Sequence, residues 1–560
     1  MGNGFRSVTR AFHVLLTVFL LILGGLISGC GSSETRVESG NRTGVFHVGN
    51  ATEPQSLDPH VSTGVPEHHI QLAIFEGLVS KHPTTLEPVP GVAERWEVGE
   101  DRLTYRFYIR ENARWSNGDL MTAEDYRWSW ERALTPAMGN QYAYMLYPIK
   151  NAEAFATGKI GDFSQVGVKV ISPQILEVTL NNPTPYFLQL LDHHSAYAVH
   201  RPSIEKHGSP TARYSDWTRP GNLVGNGPFK LTEWKLYRHI RVEKNEHYWD
   251  AENVALNAIM FYPTENLTTE ERMFRVGQLH MTKYIPLDKA PVYRENDPDS
   301  FVNERYLGTY YYQFNLSREP FKNVKVRQAL AFAIDRDALI KTVLNSSVTA
   351  AYSLTPPGTL GYQPPKLVGF DPNKARKLLA EAGFPNGEGF PVIELLYNTS
   401  EQHRKVAVAV QQMWKDHLNI NVNIVNQEWK VYLSSRDQLQ YDIARAAWIG
   451  DFVDPMNFLD LGLSDNGNNR SAYSDPHYDY LIKEYIPSAT TPKERLERFF
   501  EAETYLMEAM PFVPIYTYHT MFLRDKGVKG LPANLMDYYS YKHVTLGNDE
   551  VADNAVTEED

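Results

Sequence analysis

A single cysteine, Cys30, in a chain of 560 residues leaves nothing from which to build an internal disulfide or a zinc–thiolate cluster. Excess positive charge is missing too. The formal net charge is −12, with acidic and basic residues interspersed, and nucleic-acid binding requires a basic face, so that class is excluded. Beyond Ala11–Ile27 no apolar run approaches the length of a membrane span. The catalytic signatures are absent in turn: no G-x-x-x-x-G-K-[ST] phosphate loop, no G-x-S-x-G elbow, no H-E-x-x-H pair and no G-x-G-x-x-G fingerprint. Gly225-Asn226-Gly227 is a turn ahead of Pro228, and Asp297-Pro298-Asp299 lacks the glycine and closing glutamate of a calcium loop. His68/His69 and His193/His194 are adjacent pairs whose members, on a helix, point to different faces, so neither pair chelates by itself. These absences predict no enzyme, no cofactor and no metal site.

Cys30 itself sits where acylation would need it. Arg6 and Arg10 precede the apolar run Ala11–Ile27, and Ile27-Ser28-Gly29 places small residues directly before the thiol. That layout predicts a lipoprotein signal peptide over residues 1–29, cleavage ahead of Cys30, and a protein held outside the cytoplasmic membrane, in the periplasm or at the cell surface, by lipid on Cys30. Residues 30–44, polar and rich in Gly and Ser, read as a flexible tether. Residues 549–560 form an acidic tail.

The body of the chain is globular in composition, 42% hydrophobic and 22% charged, and long enough for two or three domains. Short strands alternate with helices. Val65–Val79 carries a helical apolar face, Leu103–Ile109 alternates as a half-buried strand, and Thr122–Asp125 has the pattern of a capping box. A long helix is expected over Val324–Leu344. Others are expected from Asp371-Pro372 to Gly383, over Val406–Leu418 and over Pro492–Met510, with strands at Ile420–Val425, Tyr441–Trp448 and Phe512–Tyr518. This order predicts an α/β fold with mixed sheets. Asn181–Tyr186 and Glu304–Asn315 read as crossings between lobes.

The segment Tyr441–Asp460 is the most suggestive. A strand bearing Arg445 and Trp448 turns through Gly450 to Asp451, so opposite charges stand six residues, or about 20 Å of extended chain, apart. That is too far for an ion pair, and it matches the span of a zwitterionic peptide of three or four residues. Two surface charges flanking an edge strand would look the same, and local sequence does not choose between these readings.

Several stretches carry a resemblance. They include EPQSLDPH (Glu53–His60), FEGLV (Phe75–Val79), PGVAERWE (Pro90–Glu97), NGPFKLTEW (Asn226–Trp234), YYYQFN, VRQALAFAIDR, ARKLLAEAGF and NQEWKVYL. From Ala51 to about Gly547 the chain resembles the periplasmic oligopeptide-binding proteins, the peptide/nickel-type extracellular solute-binding proteins that serve ABC importers. The resemblance implies a bilobal periplasmic-binding-protein fold with an extra third domain and hinge closure on the ligand. Domain I would take 45–75, 200–303 and 518–548, domain II 76–199, and domain III 304–517. It also implies that Asp451 takes the peptide's α-ammonium, while Arg445, His403 and Arg318 are cations for the C-terminal carboxylate at different ligand lengths. By the same likeness, Thr63-Gly64-Val65 and Ala447-Trp448-Ile449 are strands that sandwich the peptide backbone, and Tyr142, Trp429 and Trp448 line its pockets. Thr63 departs from the glutamate of enteric relatives. The partners so implied are short peptides, a permease with its ATPase subunits, and a membrane reached through the lipid anchor, with the protein itself a monomer. The alternatives are a sensor or recycling receptor for murein peptides or peptide signals, and a dipeptide or metal-chelate binder of the same family.

Overall fold

The computed structural model describes residues 34–547. The signal peptide, Cys30 and the acidic tail lie outside the described residues. The expected tether is corrected over its second half, where Arg36–Thr43 is a helix. Thr35 and Glu38 close a reciprocal capping box, and Gly44, at φ 68°, ends the helix in the left-handed conformation that a Cβ would oppose. Polar composition had suggested a solvated coil, and the caps decided otherwise.

Three larger sheets organise the chain. Val45–Gly49 pairs in parallel with Ala258–Tyr262, which continues antiparallel to His239–Lys244 and Phe229–Lys235. A second four-stranded antiparallel sheet is drawn from within residues 93–179. The third has six strands in the order 349–350, 512–523, 301–314, 443–449, 393–398, 422–427. Here parallel pairs, joined through helix Glu401–Leu418, meet antiparallel ones. Mixed sheets with helices between strands are what the alternating pattern predicted.

Two long strands, Phe301–Phe314 and Phe512–Leu523, run antiparallel and slip register between Arg305 and Thr309. Phe512–Leu523 outlasts its expected end at Tyr518 because the pairing continues through Thr520, Phe522 and Leu523. Asn181–Tyr186 links strand Ile175–Thr179 to the short helix Phe187–Leu190.

Three helices differ from expectation at their ends. Val324–Leu344 is two helices, Val324–Phe332 and Arg336–Thr342, because Asp335 accepts from the Ala338 N–H and starts a second one. The helix opened by Val65 stops at Ile74. Glu401–Leu418 begins five residues before the expected Val406, at the cap supplied by Ser400. The interior is aromatic: Trp115, Trp130, Trp217 and Trp414 are fully buried, so much of the aromatic content serves packing. Among the described residues no helix is long and apolar enough to cross a membrane.

Candidate functional site

Strand Ile443–Ile449 carries the centre of the site. It pairs with Gly308–Phe314 along its whole length, and Ala447 faces Tyr310 while Arg445 faces Tyr312. On its other side the strand Ile393–Asn398 matches only Ile443 and Ala444. The Gly450 N–H donates to Leu307, so by the alternation of an antiparallel ladder the even-numbered residues bond inward and Ala447 and Ile449 turn their N–H and C=O groups outward. The result is a stretch of unpaired sheet edge with Arg445 at one end and Asp451 beyond the other. Gly308 permits this packing: a Cβ there would run into the Ile449 side chain and lie 3.1 Å from the Trp448 carbonyl oxygen.

Arg445 is buried in a cage of aromatics. Its guanidinium lies 4.8 Å over the Tyr310 ring and donates to Tyr518 Oη at 2.7 Å and to Asn398 Oδ1 at 3.2 Å, while its Nε has no partner among the described residues. No acid neutralises it among these contacts. The strand is tied down next to it by Tyr432, whose hydroxyl donates to the Arg445 carbonyl. His403, in the first turn of helix Glu401–Leu418, packs with its ring tilted against Tyr310, centroids 5.5 Å apart. Burial, reinforced by the Arg445 charge, pushes its imidazole down to about 2. Without a ligand His403 is therefore neutral, in contrast to the cation expected at this position.

Arg318 is not brought to this cluster. It is 45% exposed and pairs at 3.0 Å with Asp442, whose other oxygen accepts the Glu394 N–H. Asp442 precedes the strand by one residue and differs in parity from Arg445, so the two arginines serve opposite sides of the ladder.

Asp451 meets residues from the other body of the protein. The Tyr144 hydroxyl donates to its Oδ2 at 3.1 Å, His193 Nε2 lies 4.0 Å from Oδ1, and its side chain is only 14% exposed. Burial pushes the carboxyl up to about 7, against the Tyr144 hydrogen bond and the charge of Lys81. Asp460, whose carboxyl burial and the neighbouring Asp451 and Asp454 push well up, adds to this acidic wall. Asp454 is different, being held by Arg495 through two hydrogen bonds of 2.7 and 2.9 Å.

Tyr142 packs 4.6 Å from His193 and 5.4 Å from His194. His194 in turn lies 5.5 Å from His68 and reaches the Ser62 carbonyl at 3.1 Å, which connects Thr63 to the Asp451 side of the site. Thr63-Gly64-Val65 is not a strand, however. Gly64 is the N-cap and Val65 the first residue of a helix, set by extended backbone at Gly64 and by Pro66. Trp448 donates to Asn457 at 2.7 Å. Trp429 opens helix Trp429–Asp437, but its side chain lies outside what the structure describes. The histidine pairs meet in space, yet no group of three or more His, Cys, Asp or Glu among the described residues could hold a metal ion.

Sequence reasoning missed Tyr144, His193 as a neighbour of Asp451, Asn398 and Tyr518. Tyr144 and Asp451 are 307 positions apart, and no local pattern links them.

The chain matches the bacterial extracellular solute-binding proteins, family 5, over residues 87–470. It is 39% identical over 482 residues to the periplasmic oligopeptide-binding protein OppA of Salmonella typhimurium, covering 84% of this chain and 86% of that one. It is similar to the Escherichia coli murein tripeptide binding protein MppA, with a TM-score of 0.81 at 33% identity over 90% of this chain and 98% of that one. Against Haemophilus influenzae OppA in complex with RPPGFSPFR the TM-score is 0.78 at 32% identity, over 90% and 99% of the two chains.

Proposed function

Because this chain belongs to the bacterial extracellular solute-binding proteins of family 5, we propose that it is a lipid-anchored receptor that binds short peptides and delivers them to an ABC importer. The observation that carries this reading is the unpaired edge of Ile443–Ile449 between a caged cation and a buried acid. An extended peptide adds there as a strand. Its main chain bonds to Ala447 and Ile449, its ammonium to Asp451 and its carboxylate to Arg445, with His403 as a neutral donor. Main-chain pairing is indifferent to side chains, so many sequences are accepted.

Tyr142 and Trp448 line the flanking pockets in this reading, and the Thr63–Gly64 backbone covers the far side of the peptide. Arg318, held by Asp442, has no part in it. Cys30 is the lipid attachment point. The domain division keeps its expected boundaries, supported by the way the three sheets draw on residues 45–262, 93–179 and 301–523. The relatives named above are peptide-binding proteins by name, and in this reading the chain performs no chemistry on its ligand.

Native mass spectrometry of the purified protein, followed by calorimetry with free, N-acetylated and C-amidated tri- and tetrapeptides, tests the proposal. Blocking the C-terminus leaves Arg445 a buried charge without its partner, which costs about 3–5 kcal/mol, or at least about a hundredfold in affinity; blocking the N-terminus lets Asp451, raised to about 7, take up a proton instead and costs less. Equal affinity for free and blocked peptides would remove the terminal-charge assignment. The likeness to MppA favours one second reading, a receptor for murein peptides. A murein tripeptide bound a hundredfold tighter than trialanine would establish it.

A further inference from the structure

The loop that carries Asp451 is clamped to the opposite body of the protein by contacts that involve neither Asp451 nor any other group assigned to the peptide. The Phe452 ring stacks on Tyr186, with centroids 4.6 Å apart and planes 10° from parallel. Next to it, the Val453 N–H donates to Gln189 Oε1 at 2.9 Å. Tyr186 and Gln189 belong to the segment that follows strand Ile175–Thr179, whereas Phe452 and Val453 follow strand Ile443–Ile449. The sequence from Asn181 to Tyr186 is rich in turn-forming residues, with Asn181, Asn182, Pro183 and Pro185. Such a segment fixes its backbone without needing partners in a sheet.

A cation joins the clamp: the Arg495 guanidinium lies 5.9 Å from the Tyr186 centroid and is itself held by both oxygens of Asp454. Phe452 is 4% exposed, so the stack excludes water. One aromatic pair, one backbone hydrogen bond and one arginine thus join two bodies that share no sheet.

We propose that Tyr186 and Gln189 form an interlobe latch that positions the Asp451 loop and sets how strongly the protein favours its closed form. They are positioning residues, acting on the ligand only through Asp451. This inference rests on the peptide-receptor reading for its affinity arm, though not for its shape arm. A ligand that binds only the closed form has its affinity scaled by the fraction of protein already closed. A weaker latch therefore lowers affinity for every peptide by one common factor. A side-chain pocket would instead discriminate between peptides.

The experiment compares Tyr186→Ala, Tyr186→Phe and Gln189→Ala with wild type. Calorimetry uses trialanine and trilysine, and small-angle scattering measures the radius of gyration with and without trialanine. The stack is worth a few-fold to about tenfold in a closing equilibrium. Tyr186→Ala should weaken both peptides by that same factor and enlarge the peptide-free radius. Tyr186→Phe, which keeps the ring, should restore both. Gln189→Ala, a milder change, should shift both readouts the same way. An unchanged radius with unequal losses for the two peptides would overturn the latch and make Tyr186 a pocket wall. No change in either readout would overturn it as well. If neither peptide binds any form, the peptide reading fails while the radius still decides the latch.

Discussion

Peptide affinity should fall steeply as pH drops through 7, and the cause is one carboxyl. An ordinary aspartate titrates near 3.9. Burial places Asp451 at about 7 without a ligand ammonium beside it, an increase in proton affinity of about a thousandfold, or about 4 kcal/mol against the charged form. The sign follows directly. Salt-bridging the peptide requires the anion, so binding is fully supported above pH 7 and is lost as pH falls below it. Burial of the anion, conversely, destabilises the empty fold as pH rises through the same window. With one proton to remove, affinity should weaken about tenfold per pH unit below 7, giving roughly a fiftyfold loss from pH 7 to pH 5. Above about pH 8 the peptide's own ammonium titrates away, so the optimum lies just above neutrality.

Of the groups facing Asp451, the histidines and tyrosines leave this window clear, whereas Asp460 is drawn toward it and couples to Asp451. Burial pushes the His193 imidazole well down and lowers that of His194 to about 4, so both stay neutral. The Tyr142 and Tyr144 hydroxyls are pushed up, by the Asp451 charge and by burial respectively. Asp460 is pushed well up by burial. Calorimetry of trialanine from pH 5 to 8, in buffers of differing ionisation enthalpy, should show about half a proton released per peptide at pH 7. Asp451→Asn, which keeps the shape, should bind weakly and without pH dependence over pH 5–7. A flat wild-type profile, or the wild-type slope persisting in Asp451→Asn, would refute the argument.

Gly308→Ala should lower peptide affinity and cost about 1–3 kcal/mol of stability by chemical denaturation, since the new Cβ meets the Ile449 side chain and the Trp448 carbonyl. Arg318→Ala should leave affinity for tri- to pentapeptides unchanged and cost no more than about 1 kcal/mol, the usual worth of an exposed pair such as that with Asp442; a loss confined to tetrapeptides would restore its reading as a length sensor. Cys30→Ala should abolish labelling by radioactive palmitate and release the protein from membranes, and label persisting on the variant would disprove the anchor.

Fold class, most helices and the spacing of Arg445 and Asp451 were legible in the chain because each is written locally, while a role for those two charges came only from the resemblance. Thr122 with Asp125 and Asp371 with Pro372 announce helix starts that the structure keeps. Ile443–Ile449 alternates as a strand should, and the opposite charges at its ends are set by counting residues. What stayed hidden depends on contacts distant in sequence. His403 looks cationic until burial against Tyr310 and Arg445 is known. Arg318 looks free until Asp442, 124 positions away, is placed beside it. The helix at Arg36–Thr43 was obscured for another reason: composition dominated the reading of residues 30–44, although Thr35 and Glu38 have the spacing of a capping box.

The unpaired edge beside Ala447 and Ile449 has a consequence for the protein's solubility. A flat strand edge left open is a template for any other extended chain, and soluble proteins ordinarily shorten it, charge it or cover it. Under the proposed peptide reading this one cannot be disabled without disabling binding. Depth takes over the protective role: the loop at Asp451 brings Tyr144, His193 and Gln189 of the facing body up to the end of the strand. A short peptide has only its own width to fit into that space. The edge of a folded neighbour arrives with the rest of its sheet attached, so under the peptide-receptor reading the enclosure that would admit cargo would also keep copies of the protein from pairing through their sheets.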